Sequence, residues 1–512
     1  MRYLCLFFLL FPVLYTSGQI SQPARYEVEK KFGDNDFTVF SAKEDGLVMF
    51  RETDKYNKER DELWQIIILD TTLNVRHELE IGIDDEYSML GYEYQEGRFF
   101  LLFRKGLTTK SDWFIINVDL YSGEYIHKNI RNELEIELTH FIGCRNSLVL
   151  GGAISGRPTV VLYSVEEDKV EVLPGFFRND AKLLDMQTNK NGTFNVLFHE
   201  KDPLTGHKIL YLKVFSNRGI LLLESSSNFG EEIKVNSGTT SHLESDDLVI
   251  IGNYGDKNSK LSNGVYFINV RPGHNDNIKY IPFADFDRLF HYLGERRERK
   301  IKEKIKNSPR NNPYEFRTTM VVWKIVEDHS MYLVYGEIID PQYQSSPHNR
   351  PYSPFYYDNL GYPFYGYYRR SPSYVGLSEL TSIKYREGVV AAFNKTGNLL
   401  WDESMLIDDV ETSYLDQVMD FNAANDNFHM GYKHDDGLRL SFGQGSRLIV
   451  NDSLINVRLM DDFDTVRSEE VEFGKLNLWY DDVYFLWGHH RLTNTLNNER
   501  RNVFYVNKVQ IK

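Results

Sequence analysis

The sequence predicts an all-β protein: a β-propeller of four-stranded antiparallel blades, eight favoured and seven the alternative count. Three observations carry this expectation. A strand–turn–strand signature recurs about every 50 residues, the period of a repeat architecture. Groups of four short strands fit one such period. The last group lacks a fourth strand, and the start of the chain has one to spare.

The clearest copies of the signature are Phe114-Ile-Ile-Asn-Val-Asp-Leu-Tyr-Ser-Gly123, Leu210-Tyr-Leu-Lys-Val-Phe-Ser-Asn-Arg-Gly219 and Val389-Val-Ala-Ala-Phe-Asn-Lys-Thr-Gly397. Looser copies run from Ile68 to Val75, Val161 to Val170 and Tyr266 to Gly273. One complete unit reads Ala181 to Met186, Phe194 to His199, Lys208 to Val214 and Ile220 to Glu224, with an Asn191-Gly192 turn between its first two strands. Asn-Gly supplies the positive φ angles that a tight hairpin demands. The same order appears in Met89–Tyr94, Phe99–Phe103, Trp113–Val118 and Tyr125–Asn129. Third-strand hairpins fall near Leu73, Gly123, Asp168, Gly219, Gly273, Gly397 and Gly445, and an eighth third strand, Val503–Ile511, ends the chain. Arg25-Tyr-Glu-Val-Glu29 can supply the missing strand and close the ring, which removes exposed sheet edges. Two separate smaller β domains are the weaker alternative.

The first 18 residues have the layout of a secretory signal: Arg2, an apolar run from Leu4 to Tyr15, and small residues Thr16-Ser17-Gly18 before Gln19. The apolar run is too short for a permanent membrane helix, which needs about 20 residues. The expected organisation is a signal peptide over 1–18 and one propeller domain over 19–512, exported to the periplasm or beyond. Cys144 is then the single cysteine, in a strand-like run, and reads as a small buried hydrophobe. Fifty-nine basic against 74 acidic residues leave a net charge of −15, which argues against nucleic acid as a partner. An aromatic content of 14% suits half-buried sheet faces.

Two insertions interrupt the repeat. In 285–307, Phe286, Leu289, Phe290 and Leu293 recur at helical spacing, with Ile301 and Ile305 further on, so a helix is expected. Its second half carries Arg296, Arg297, Arg299, Lys300, Lys302, Lys304 and Lys306. This is either a solvated helix packed on the ring or a docking arm for an anionic lipid surface, acidic polysaccharide or protein. In 341–374, prolines alternate with tyrosines, among them Tyr356, Tyr357, Tyr367 and Tyr368. These rings either roof the propeller or offer flat faces to sugars and peptides.

Catalytic and metal-binding signatures are missing from the linear sequence, and neither a cofactor nor a metal is expected. His489-His490 are adjacent on a strand and point to opposite faces. Asn189-Lys-Asn-Gly-Thr and Asn394-Lys-Thr-Gly-Asn lack the acidic first ligand and closing glutamate of a calcium loop, and read as hairpins. The acidic pairs Asp84-Asp85, Asp408-Asp409, Asp461-Asp462 and Asp481-Asp482 fall between strands, where aspartate serves turns.

Ala391-Ala-Phe-Asn-Lys-Thr-Gly-Asn-Leu-Leu-Trp401 resembles the third-to-fourth-strand turn of quinoprotein-like propellers. The tryptophan is replaced by His127 and Leu223 in other copies, and no quinone or calcium ligands can be placed. The chain also resembles a family of uncharacterised exported propellers, on the basic insert, Gly397–Asp402 and Arg501–Lys508. That resemblance implies a fold and no activity. The expected function is a non-catalytic, monomeric scaffold binding an envelope protein or polysaccharide through its insertions, with membrane-surface contact through the basic helix. The alternative is a carbohydrate-active enzyme with carboxylates at the axis.

Overall fold

The computed structural model describes residues 20–31, 35–106, 108, 111–242, 248–270, 277–343 and 380–511. These form eight antiparallel sheets arranged as an eight-bladed propeller. Blade 1 comprises Thr38–Ser41, Leu47–Tyr56, Glu62–Leu69 and Val75–Ile83, and blade 2 Tyr87–Gln95, Arg98–Lys105, Trp113–Asp119 and Tyr125–Ile130. Blade 3 starts at Glu137, blade 4 at Ala181, blade 5 at Ile233, blade 6 at Met320, blade 7 at Asp420 and blade 8 at Asp464. The expected hairpin positions Leu73, Gly123, Asp168, Gly219, Gly397 and Gly445 lie between the third and fourth strands of their blades, and Gly273 lies outside the described residues.

The physical pattern explains the sequence pattern. The second and third strands of each blade are covered on both faces by neighbouring blades, so they read as unbroken apolar runs such as Phe99–Phe103 and Leu248–Ile251. Alternate residues serve opposite neighbours. Leu248 and Ile250 join a core shared with blade 4, whereas Val249 and Ile251 join one shared with blade 6. Eight such inter-blade cores follow one another around the ring. The last places Trp479, Phe485 and Phe504 of blade 8 against Val39, Leu47 and Met49 of blade 1. Fourth strands lie at the rim, and Lys169–Val172 is exposed throughout.

Closure of the ring follows the expected route and extends further. Ile20–Glu29 pairs antiparallel with Arg500–Ile511, from Ile20 opposite Ile511 to Glu29 opposite Val503. The register shifts between Ser21 and Ala24, where Pro23 withholds an amide from the ladder. Arg25 and Glu27 form a buried ion pair at 2.6 Å, and Arg25 also reaches Asn507 Oδ1 at 2.9 Å.

The two loops that faintly resemble calcium sites are hairpin turns. Asn394 Oδ1 accepts from the amides of Thr396 (3.0 Å) and Asn398 (2.9 Å). Asp70 does the same for Thr72 and Asn74 in blade 1, at 2.8 and 2.9 Å. Gly397 and Leu73 hold the equivalent left-handed position, with φ of 75° and 65°. Cys144 is buried, and burial pushes its thiol up to about 12.

Candidate functional site

The insertion between blades 5 and 6 is built in three steps. Phe283–Asp285 forms a short 3-10 turn, and the chain is extended again at Phe286. A second 3-10 turn, His291–Leu293, ends at Gly294 with φ of 77°. The α-helix, α1, spans only Glu295–Asn307. The apolar spacing that predicts helix from residue 285 therefore has another cause: Phe286, Leu289 and Phe290 are buried in the core between blades 5 and 6. Tertiary burial overrides the local period here.

A cluster of polar groups from blade 6 holds the approach to α1. Asp402, 6% exposed, accepts from the amides of Asp287 (2.8 Å) and Arg288 (2.7 Å). Ser404 Oγ lies 2.6 Å from Glu387 Oε1, 3.0 Å from the Arg288 carbonyl and 3.0 Å from His291 Nδ1. Burial pushes the Glu387 carboxyl up to about 8, partly offset by the Ser404 hydroxyl, which donates to it. The Arg288 carbonyl is a second acceptor within reach of the same hydroxyl. Burial lowers His291, partly offset by Glu298 nearby. Serine, histidine and glutamate meet here, but the serine stands between the other two and is 2% exposed. A nucleophilic triad needs histidine in the middle and an accessible hydroxyl. This set is a clamp. It has no linear signature, because Glu387 and Ser404 come from strands about a hundred positions downstream of His291.

The clamp and an apolar seam fix α1 rigidly. Ile301 and Ile305 pack against the inter-blade core together with Tyr292 and Leu293. Glu295 and Glu298 occupy the first turn and Lys304 and Lys306 the last, as the helix dipole favours. Arg296, Arg297, Arg299, Lys300, Lys302, Lys304 and Lys306 are all exposed. Lys302 pairs with Glu298 at 2.6 Å, and Lys304 sits 5.5 Å from the centre of the Tyr314 ring. The other five make no ion pair with any described residue.

Tyr356, Tyr357, Tyr367 and Tyr368 lie outside the described residues. The ends of their segment are defined: Met331–Tyr343 pairs with Leu380–Asn394, and Tyr343 stands opposite Leu380. Pro341 and Gln342, expected in the loop, are strand residues opposite Ile383 and Ser382. In an antiparallel blade, second-to-third-strand loops and the connections to the next blade open on the same face of the ring. Both insertions therefore leave the ring on one face, at blade 6.

The innermost strands carry polar groups as well. Glu93 of blade 2 is pushed up to about 8 and His140 of blade 3 down to about 4, each by burial. Asp185 of blade 4, raised to about 6 by burial, accepts from Thr239 Oγ1 (2.8 Å) and the Thr240 amide (3.3 Å) of blade 5. Asp185 thus serves as a joint between blades. Similarly, Glu337 of blade 6 accepts from Met419 N (2.7 Å) and Val418 N (3.0 Å), ahead of blade 7. An open groove of about 750 Å³ lies on blade 2 beside Asp85, Glu86, Ser88, Lys105 and Asp112, where Lys105 and Glu86 pair at 3.0 Å. His489 and His490 diverge as expected: His489 is 2.8 Å from Asp36, and His490 packs on Tyr505. Among the described residues no group of three or more His, Cys, Asp or Glu is placed to hold a metal, and no helix is long and apolar enough to cross a membrane.

No family model matches the chain, and no curated protein matches it. Solved structures similar to it include the β-propeller domain of the Trilobed protease from Pyrococcus furiosus, at 8% identity and a TM-score of 0.36, covering 82% of this chain and 93% of that one. The polysaccharide lyase Uly1 is similar at 8% identity and a TM-score of 0.38, covering 82% of this chain and 90% of that one. A prolyl endopeptidase matches at 9% identity and a TM-score of 0.38, covering 83% of this chain and 50% of its own.

Proposed function

We propose that this protein is a non-catalytic exported propeller scaffold that binds a partner protein or an envelope polymer through the elements inserted at blade 6. The observation that carries the reading is the cationic face of α1: seven exposed cations on a helix pinned to the ring, in a chain of net charge −15. An acidic surface would neutralise such charges wherever they folded back on it, yet five of them meet no described carboxylate. A rigid frame presenting a composition-biased element is the arrangement that recognition requires.

The test is a cross-linked pull-down from the cell envelope, comparing the native chain with R296E/R299E/K300E/K306E. The native protein should retain a defined partner or polymer that the variant loses. An identical set of captured molecules from both would refute the scaffold reading.

A further inference from the structure

We propose that the outward face of α1 binds a linear carboxylated polysaccharide along its length. This rests on the scaffold reading above and names its ligand class. Ile301 and Ile305 are packed against the core between blades 5 and 6, so the apolar stripe of the helix is already consumed by the ring. A helix that docks in a bilayer interface inserts such a stripe among the acyl chains. α1 has only its polar face left, and that face is a row of charge.

Arg296, Arg299, Lys300 and Lys306 face away from the buried stripe. The helix is about 20 Å long, and cations four positions apart are about 6 Å apart along its axis. That is a track for an extended chain rather than a pocket for one anion. Arginine grips carboxylates with two parallel hydrogen bonds, and lysine adds mobile point charge.

Three features select among polyanions. Glu303 stands within the row, and the protein as a whole carries −15. A duplex nucleic acid, with one negative charge per about 1.7 Å, is repelled by both more strongly than a polymer with the lower charge density of one carboxylate per repeat. Protein interfaces are depleted in lysine and glutamate at their cores, and a convex helix of long, mobile side chains suits them poorly. A flexible polysaccharide needs no complementary shape.

The experiment titrates the full chain with polygalacturonate, dextran, phosphatidylglycerol vesicles and duplex DNA, at about 50 and about 200 mM salt. Polygalacturonate should bind, and its affinity should fall about tenfold or more across that salt step, as release of several counterions requires. R296E/R299E/K300E/K306E should lose the binding, while reversal of the exposed Lys58 (K58E) should leave it intact. Should the fourfold reversal unfold the chain, the milder R296Q/K300Q pair reads the same loss in part. Absence of binding at low salt, binding indifferent to these changes, or tighter binding to vesicles or DNA would overturn the proposal. If polygalacturonate fails but the helix-dependent pull-down persists, only the ligand class falls. If neither responds to charge reversal, the scaffold reading falls with it.

Discussion

Arg25 donates to Asn507 Oδ1 at 2.9 Å, tying the first described strand to the last. The contact is part of a set in which Glu27 accepts from Arg25 at 2.6 Å and lies in an ion pair with Arg501 at 3.1 Å. Removing Arg25 leaves Glu27 buried with one cation fewer. R25M should therefore lower the unfolding free energy by about 3 kcal/mol, and R25M/E27L should recover most of that loss. Urea unfolding measures both; equal stability of R25M and native protein would show that this set does not hold the ring closed.

Stability should fall as pH rises from about 4.5 to about 8. Glu93 and Glu387 are pushed up to about 8 and Glu337 to about 7 by burial, against an ordinary value of 4.5. Across that window the folded chain holds protons that the unfolded chain has released, so each step upward in pH favours unfolding. Below about 6.5 His140, lowered to about 4, acts in the opposite sense, because the unfolded chain gains a proton that the folded one refuses. E387Q keeps the shape of the clamp without its titration, and should flatten the fall between pH 5 and 8 by on the order of 2 kcal/mol. An unchanged slope in denaturation series at several pH values would contradict a protonated Glu387.

Gly397 cannot be replaced cheaply. Its φ is 75°, and an added methyl would come within 2.5 Å of the Phe267 ring in blade 5. G397A should cost about 2 kcal/mol, from left-handed strain and displacement of that ring. The equivalent Leu73 tolerates φ of 65° because its side chain is buried in the core between blades 8 and 1. A loss below about 0.5 kcal/mol in thermal or urea unfolding would mean that the turn relaxes around the methyl.

The mounting of α1 can be separated from its charge. R296E/K300E alters only exposed side chains and should shift stability by less than about 0.5 kcal/mol. I301S/I305S removes the apolar seam, so trypsin should cut at the helix arginines and lysines much faster, while the ring keeps its cooperative unfolding. Equal cleavage rates in native and I301S/I305S protein would show that the clamp at Asp402, Glu387 and Ser404 suffices alone.

The blades, the hairpins and the meeting of the termini were legible in the chain because they depend on local physics. Strand alternation, Asn-Gly and Gly turns, and a final unit one strand short are properties of neighbouring residues, repeated eight times. Pro341 and Gln342 were misplaced for the same reason: proline and polar residues signal a loop, yet at a sheet's far end they pair with Ile383 and Ser382. The cations of α1 were also visible in the sequence as a run of Arg and Lys.

Their context was not. Phe286, Leu289 and Phe290 have the spacing of a helix but are buried between two blades, and no local period distinguishes those cases. The clamp joins His291 to Glu387 and Ser404 across about a hundred residues, and the shifted carboxyls arise from burial, which is a property of the packed ring. The sequence alone determined the repeat, the strand that closes it and the charge of the inserted helix, since each is written in adjacent residues. Only the tertiary structure decided which face of that helix is spent on packing and which is left for solvent, because that depends on what lies beneath it.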